Sequence, residues 1–193
     1  MMEKKTRKKS KLLTTLTIII IVVAIISVIV TLSIHFMNVA RYNDNKKYIQ
    51  EQQEQENIKK SNKVMLYKIN NNKYINQYGY IVESSNISAI TLQGLTVTAS
   101  QENIETSLFT KLLTLYNTLE NNELLNNVTK IDITDLENIK VYMDLENKTI
   151  LIGNFESLNT KFLFAKNIIT QEKGKQGEII VKDINKAYFR ESL

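Results

Sequence analysis

The sequence predicts an α+β protein: a single N-terminal transmembrane helix, then one extracytoplasmic domain of mostly antiparallel sheet with two covering helices. Three observations carry this expectation. Residues Leu12 to Ile34 hold no charged side chain, and Ile18 to Val30 is almost pure Ile and Val. Short runs rich in β-branched and aromatic residues then recur from Val64 to Phe189, separated by turn residues. Between them lie two longer segments whose apolar residues fall three or four apart, as on one face of a helix.

Residues 1–11 form a basic tail. The chain holds 25 Lys and Arg against 20 Asp and Glu, a net charge of +5. Lys4, Lys5, Arg7, Lys8, Lys9 and Lys11, set against Glu3 alone, already supply that excess. The remainder is balanced, so the folded part has no surplus positive charge to lay on a phosphate backbone, and no nucleic-acid partner is expected. Cysteine is absent, which removes disulfides, thiol nucleophiles and thiolate metal sites.

Residues 12–37 are the transmembrane helix, since about 20 apolar residues cross a hydrocarbon core roughly 30 Å thick. β-Branched residues are poor helix formers in water, but in lipid the backbone has only itself to bond to. Six bases precede the span and only Arg41, Lys46 and Lys47 follow closely, which places the N-terminus in the cytoplasm. The chain thus reads as a single-pass type II protein in contact with the lipid bilayer. A secretory signal has a shorter apolar run, roughly 7–15 residues, and Met37-Asn38-Val39-Ala40 is a poor cleavage site.

Residues 38–63 are a polar linker, rich in Gln, Glu and Lys and without an apolar face. It is either a helix continuing from the membrane or a hydrated tether. Tyr42, Ile49 and Ile58 do not keep a heptad spacing.

Residues 64–193 form one domain, with every apolar stripe downstream of Ser61. Strands are expected at Val64 to Ile69, Lys73 to Ile75 and Tyr80 to Glu83, then a short apolar piece, Ala89 to Leu92. A helix follows with Ile104, Leu108, Leu112, Leu115 and Leu119 on one stripe. Ser100 is its expected N-cap, and Glu102 and Glu105 complement its dipole. Val128 to Ile133, Ile139 to Leu145 and Thr149 to Ile152 read as successive strands, the last two joined by a turn at Glu146 to Lys148. Asn154 is expected to cap a second helix with Leu158, Phe162, Ala165 and Ile169 buried. The polar loop Gln171 to Gly177 leads into closing strands at Glu178 to Val181 and Ala187 to Phe189.

Chemistry is scarce. The one histidine, His35, sits at the outer end of the apolar span, so no Ser/His/Asp set can be assembled. Asp132, Asp135, Asp144 and Asp183 fall at strand ends and turns, where solvated carboxylates are the rule. Glycines lack a phosphate-cradling spacing. No enzyme, metal, cofactor or small-molecule substrate is expected.

Several pieces, in order over about 125 residues, resemble the β domain of the FtsQ/DivIB family of bacterial cell-division proteins. Ile150-Leu151-Ile152-Gly153, then Leu158, Lys161 and Phe162, then Gly177 and a terminal apolar strand, match the family's run of strand, Gly, helix with an internal Lys, loop and closing strands. Val128 to Ile133 falls where the family has a strand with an Ile-Asp pair. Ile75 to Ile81, containing Gly79, sits at its apolar-Asp-x-x-Gly turn, and Ala89 to Gly94 at its Leu-Pro-x-apolar-x-Gly segment. The chain departs from the pattern at Asn76, Ile90 and Ile180, where the family has Asp, Pro and Asp. It also lacks the family's POTRA domain, because 38–63 is too short and too polar to fold as one.

The resemblance implies a non-enzymatic scaffold of the division complex at the septum. Its partners would be other bitopic division proteins, FtsL-like and FtsB/DivIC-like, bound by β-strand addition, with an effect on septal peptidoglycan synthesis. The implied binding residues are Lys186, Ala187, Tyr188, Phe189 and Arg190; Gly79, Gly94, Gly153, Lys161 and Gly177 would be structural. Alternation along the strand sets Tyr188 and Phe189 on opposite faces without saying which points inward. A second class stays open: a membrane-anchored extracytoplasmic module binding cell-wall polymer or another envelope system.

Overall fold

The computed structural model describes residues 3–62, 64–70, 72–85 and 87–192. Met1, Met2, Lys63, Asn71, Asn86 and Leu193, which fall in the expected tail, linker and domain, lie outside them. The chain divides into two compact units, Met1–Gln55 and Glu56–Leu193.

The first unit is helical. Helix α1 runs Glu3–Lys60 without a break. From Ile21 on it is long and apolar enough to cross a membrane, with mean hydropathy 2.3 in its most apolar window and none of that window buried. Bare Ile and Val side chains along such a helix need an apolar surrounding. The polar stretch after residue 38 stays helical through Lys60, with Lys47 paired to Glu51 one turn on at 3.8 Å.

Among the described residues the second unit holds a sheet of nine strands and, after the end of α1, two α-helices. The strands are β1 (Met65–Lys68), β2 (Lys73–Asn76), β3 (Ile81–Glu83), β4 (Ile90–Gln93), β5 (Val128–Asp132), β6 (Ile139–Met143), β7 (Lys148–Gly153), β8 (Gly177–Asp183) and β9 (Lys186–Glu191). Helices α2 (Thr106–Asn121) and α3 (Leu158–Gln171) bridge β4 to β5 and β7 to β8. The order across the sheet is β3-β2-β1-β4-β5-β6-β7-β8-β9. Pairs β1–β4, β4–β5 and β7–β8 are parallel, and the rest are antiparallel. The architecture is thus α+β with a mostly antiparallel sheet.

Alternation along the strands decides which face is covered. Ile139, Val141 and Met143 of β6, and Ile179 and Val181 of β8, join Leu112, Leu115 and Leu119 of α2 and Leu158, Phe162 and Ala165 of α3 in one core. The two helices therefore share a face. Their ends meet where Asn122 Nδ2 donates to Asn159 Oδ1 at 3.3 Å and Lys166 Nζ to Glu123 Oε2 at 2.6 Å. Lys140, Tyr142 and Tyr188 lie on the opposite face, in register with Leu151, Thr149 and Ile180.

Two expected caps are corrected. Helix α2 begins at Thr106, not after Ser100, and Glu105 occupies its N-cap without a side-chain bond to the backbone. Residues 102–104 are instead drawn to the sheet edge: Ile81 N donates to Glu102 O at 2.8 Å and Ile104 N to Gly79 O at 3.1 Å. Tertiary pairing overrides local helix preference there. Ile104 is buried, but ahead of the helix, and Glu102 serves no helix dipole; it pairs with Lys60 at 2.6 Å. Asn154 does not cap α3, whose N-cap is Ser157 in a left-handed conformation. Its Oδ1 accepts from Glu156 N at 3.1 Å, because Asn readily closes a turn onto the amide two residues on. Ile169, expected in the buried stripe, is half-buried.

The last turn of α1 is tied to this unit. Asn76, fully buried, donates from Nδ2 to Lys59 O at 2.9 Å while its Oδ1 accepts from Tyr78 N and Tyr80 N at 2.9 and 3.1 Å. Lys60 Nζ lies 5.8 Å from the centre of the Tyr80 ring.

Candidate functional site: the free edge of the sheet

A nine-stranded open sheet has two edges, each with backbone groups that pairing has not satisfied. At β3 the start of the edge is covered. Besides the Ile81 bond to Glu102, Tyr80 bridges Asn103 in an antiparallel pair. Strand β9 is different: it pairs with β8 on one side, and no strand among the described residues lies on the other. Lys186, Ala187, Tyr188, Phe189 and Arg190 all belong to this edge strand.

Strand β9 divides cleanly between the two faces. Phe189 is paired with Ile179 and packs against the core. Tyr188 is paired with Ile180 on the open face and is 55 % exposed. Arg190 is paired with Glu178 and bonds its carboxylate, which holds the guanidinium above its ordinary pKa. On the open face Leu151, Ile180 and Tyr188 stand in one row, an apolar strip that ends at the free edge.

Two residues hold the last part of β9. Gly177 starts β8 at φ 157°, opposite Glu191, and a Cβ there would stand 2.2 Å from Arg190 O. No side chain fits. Lys148, buried at the start of β7, donates from Nζ to Lys175 O at 2.6 Å and lies 5.9 Å from the Phe189 ring centre.

The other residues singled out by the resemblance lie in α3, in turns and at a strand end. Lys161 is 2 % exposed, and its Nζ donates to Asn154 O at 3.2 Å and Asn154 Oδ1 at 3.0 Å. Burial lowers its pKa. Gly94 follows β4 at φ 93°, where a Cβ would meet Thr134 N at 2.3 Å. Gly79 lies in the turn after β2, and Gly153 ends β7.

Asp132 and Asp135 line one open depression of ≈ 570 Å³ with Lys140 and Lys182, while Asp144 lines another. Asp132 Oδ1 accepts from Thr134 N at 2.9 Å, and Asp135 accepts from Asn138 Nδ2 at 2.6 Å and Glu137 N at 2.9 Å. The Thr134 side chain and then its amide hold the Asp132 carboxyl below its usual pKa, and Asn138 with the Glu137 amide does the same for Asp135. They anchor turns. Asp183 does the same, accepting from Asn185 N at 2.9 Å in the turn before β9. His35 lies exposed on α1.

Reading the residues alone missed Asn76 and Lys148. The Asn-x-x-Gly spacing of Asn76 to Gly79 marks the turn, but nothing local reveals the carbonyl of Lys59 that the amide reaches. No family model matches the chain, and no curated protein matches it.

Proposed function

We propose that this chain is a non-enzymatic, single-pass membrane scaffold of the bacterial division complex, of the FtsQ/DivIB type. Its N-terminal tail is cytoplasmic, its domain lies outside the membrane at the septum, and other bitopic division proteins dock on it by adding a strand to β9. Septal peptidoglycan synthesis is regulated through those partners. The observation that carries the reading is the asymmetry of the sheet: the start of β3 is covered by residues 102 and 103, whereas no described strand lies beside β9, whose Tyr188 points outward. An open edge supplies backbone donors and acceptors to an incoming strand, and its side chains choose which strand. The motif resemblance supplies the cellular setting, and the charge bias around the apolar helix supplies the orientation.

Two experiments test it. Protease added to intact protoplasts removes the domain and spares the tail; a protected domain overturns the orientation. Truncation after Asn185 removes β9, and recovery of division partners from mildly solubilised membranes is lost while the rest of the domain stays folded. Full recovery by the truncated chain overturns the scaffold reading.

A further inference from the structure

The basic tail makes a contact of its own, separate from the sheet edge and resting on the reading that α1 crosses the membrane with one boundary at Leu12. We infer that residues 4–11 bind anionic phospholipid headgroups in the leaflet on the N-terminal side and gather such lipids around that end of α1.

Lys4, Lys5, Arg7, Lys8, Lys9 and Lys11 put six positive charges into eight consecutive residues. Glu3 is the sole acid before Asp44, so the neighbouring sequence supplies almost no counter-charge. The anions that meet these bases must come from outside the tail.

Depth decides which anions those are. Helix α1 is continuous from Glu3, so the bases are strung along the same helix that enters the lipid. At about 1.5 Å per residue, Lys11, Lys9 and Lys8 stand about 1.5, 4.5 and 6 Å along the axis from Leu12, whereas Lys5 and Lys4 stand about 10.5 and 12 Å away. The headgroup layer is about 5–7 Å deep on each side of the hydrocarbon core. The inner three bases are therefore level with the lipid phosphates, and the outer two lie in the water beyond, where attraction fades within a Debye length of about 8 Å. Covalent continuity with the span also holds the tail at the lipid surface, at an effective concentration that a free anion does not reach.

The other end of the span carries no comparable charge. In the eight residues 38–45, Arg41 is offset by Asp44, and Lys47 beyond them is paired with Glu51 at 3.8 Å. Enrichment of anionic lipid is thus confined to one leaflet.

The chain has no tryptophan, so a single introduced one reports on its lipid neighbours. The full-length chain carrying Leu12→Trp is reconstituted in phosphatidylcholine vesicles with a small, equal share of either phosphatidylglycerol or phosphatidylcholine brominated high on the acyl chains. Quenching should show phosphatidylglycerol enriched about fivefold over phosphatidylcholine beside residue 12, the preference that one base at the surface gives one anionic lipid. With Met37→Trp as the reporter the ratio should stay near one. Lys8→Gln with Lys9→Gln and Lys11→Gln should bring the ratio at residue 12 below about twofold, whereas Lys4→Gln with Lys5→Gln should leave most of it. Inorganic phosphate at matched ionic strength should leave it unchanged. Equal quenching by the two lipids, an equal preference at residue 37, an effect of the outer pair as large as that of the inner three, or displacement by phosphate overturns the inference and leaves the membrane-spanning reading standing. A Leu12→Trp chain quenched by neither lipid overturns both.

Discussion

Replacing Asn76 tests whether the last turn of α1 is part of the folded domain. The side chain makes three hydrogen bonds at a fully buried position: Nδ2 to Lys59 O, and Oδ1 from Tyr78 N and Tyr80 N. Asn76→Ala removes all three at about 1 kcal/mol each, so urea unfolding of a fragment beginning at Lys46 should show a loss of about 3 kcal/mol. Asn76→Asp keeps the acceptor for the two amides but turns a second oxygen toward the Lys59 carbonyl. Its cost should be about 1–3 kcal/mol, the range for a buried group left facing the wrong partner. A fragment beginning at Ser61 lacks that carbonyl. There Asn76→Asp should cost at least about 1 kcal/mol less than in the longer fragment, a non-additivity that marks direct contact. Equal costs in the two fragments would refute the contact as the reason for an amide at this position.

Three further outcomes follow from the same geometry. Phe189→Ala should cost about 2–3 kcal/mol in thermal or urea unfolding, below the value for a fully buried ring, while exposed Tyr188→Ala should stay within about 0.5 kcal/mol. Gly177→Ala should cost about 2–3 kcal/mol and shift β9 amide resonances, because its Cβ collides with Arg190 O; a silent substitution would mean β8 and β9 are not held as described. Glu102 contributes one part of the pH dependence, since its carboxyl is held below its ordinary 4.5 by its hydrogen bond to Lys60. A depressed acid stabilises the fold above its unfolded pKa and stops doing so as pH falls through the folded value. Stability of the wild type minus that of Glu102→Gln should therefore be constant above about pH 4.5 and shrink below it; a difference that grows on acidification contradicts the pairing.

What could be read from the sequence was whatever repeats locally. Ile139, Val141 and Met143 alternate on β6, and Leu112, Leu115 and Leu119 keep a helical step on α2, so both elements and their buried faces are visible in order. The start of α2 was hidden because residues 102–104 bond to Gly79 and Ile81, more than twenty positions upstream. Buried Lys148 and Lys161 resemble surface lysines until the carbonyls of Lys175 and Asn154 are brought to them. Strand order was equally illegible: β4 lies between β1 and β5 through two parallel pairings, which no turn signal announces. The inward and outward residues of β9 were known to differ, but the pairing of Phe189 with Ile179 was needed to tell them apart.

The covered edge at β3 has a consequence for stoichiometry. A sheet open at both ends can pass strands from one molecule to the next and grow into a fibre. Here the Ile81 and Tyr80 contacts with residues 102–103 occupy the start of β3, which leaves little of that strand for an added one. On the strand-addition reading proposed above, growth would be confined to the β9 end, and a crowded membrane would gather discrete pairs rather than a continuous ribbon.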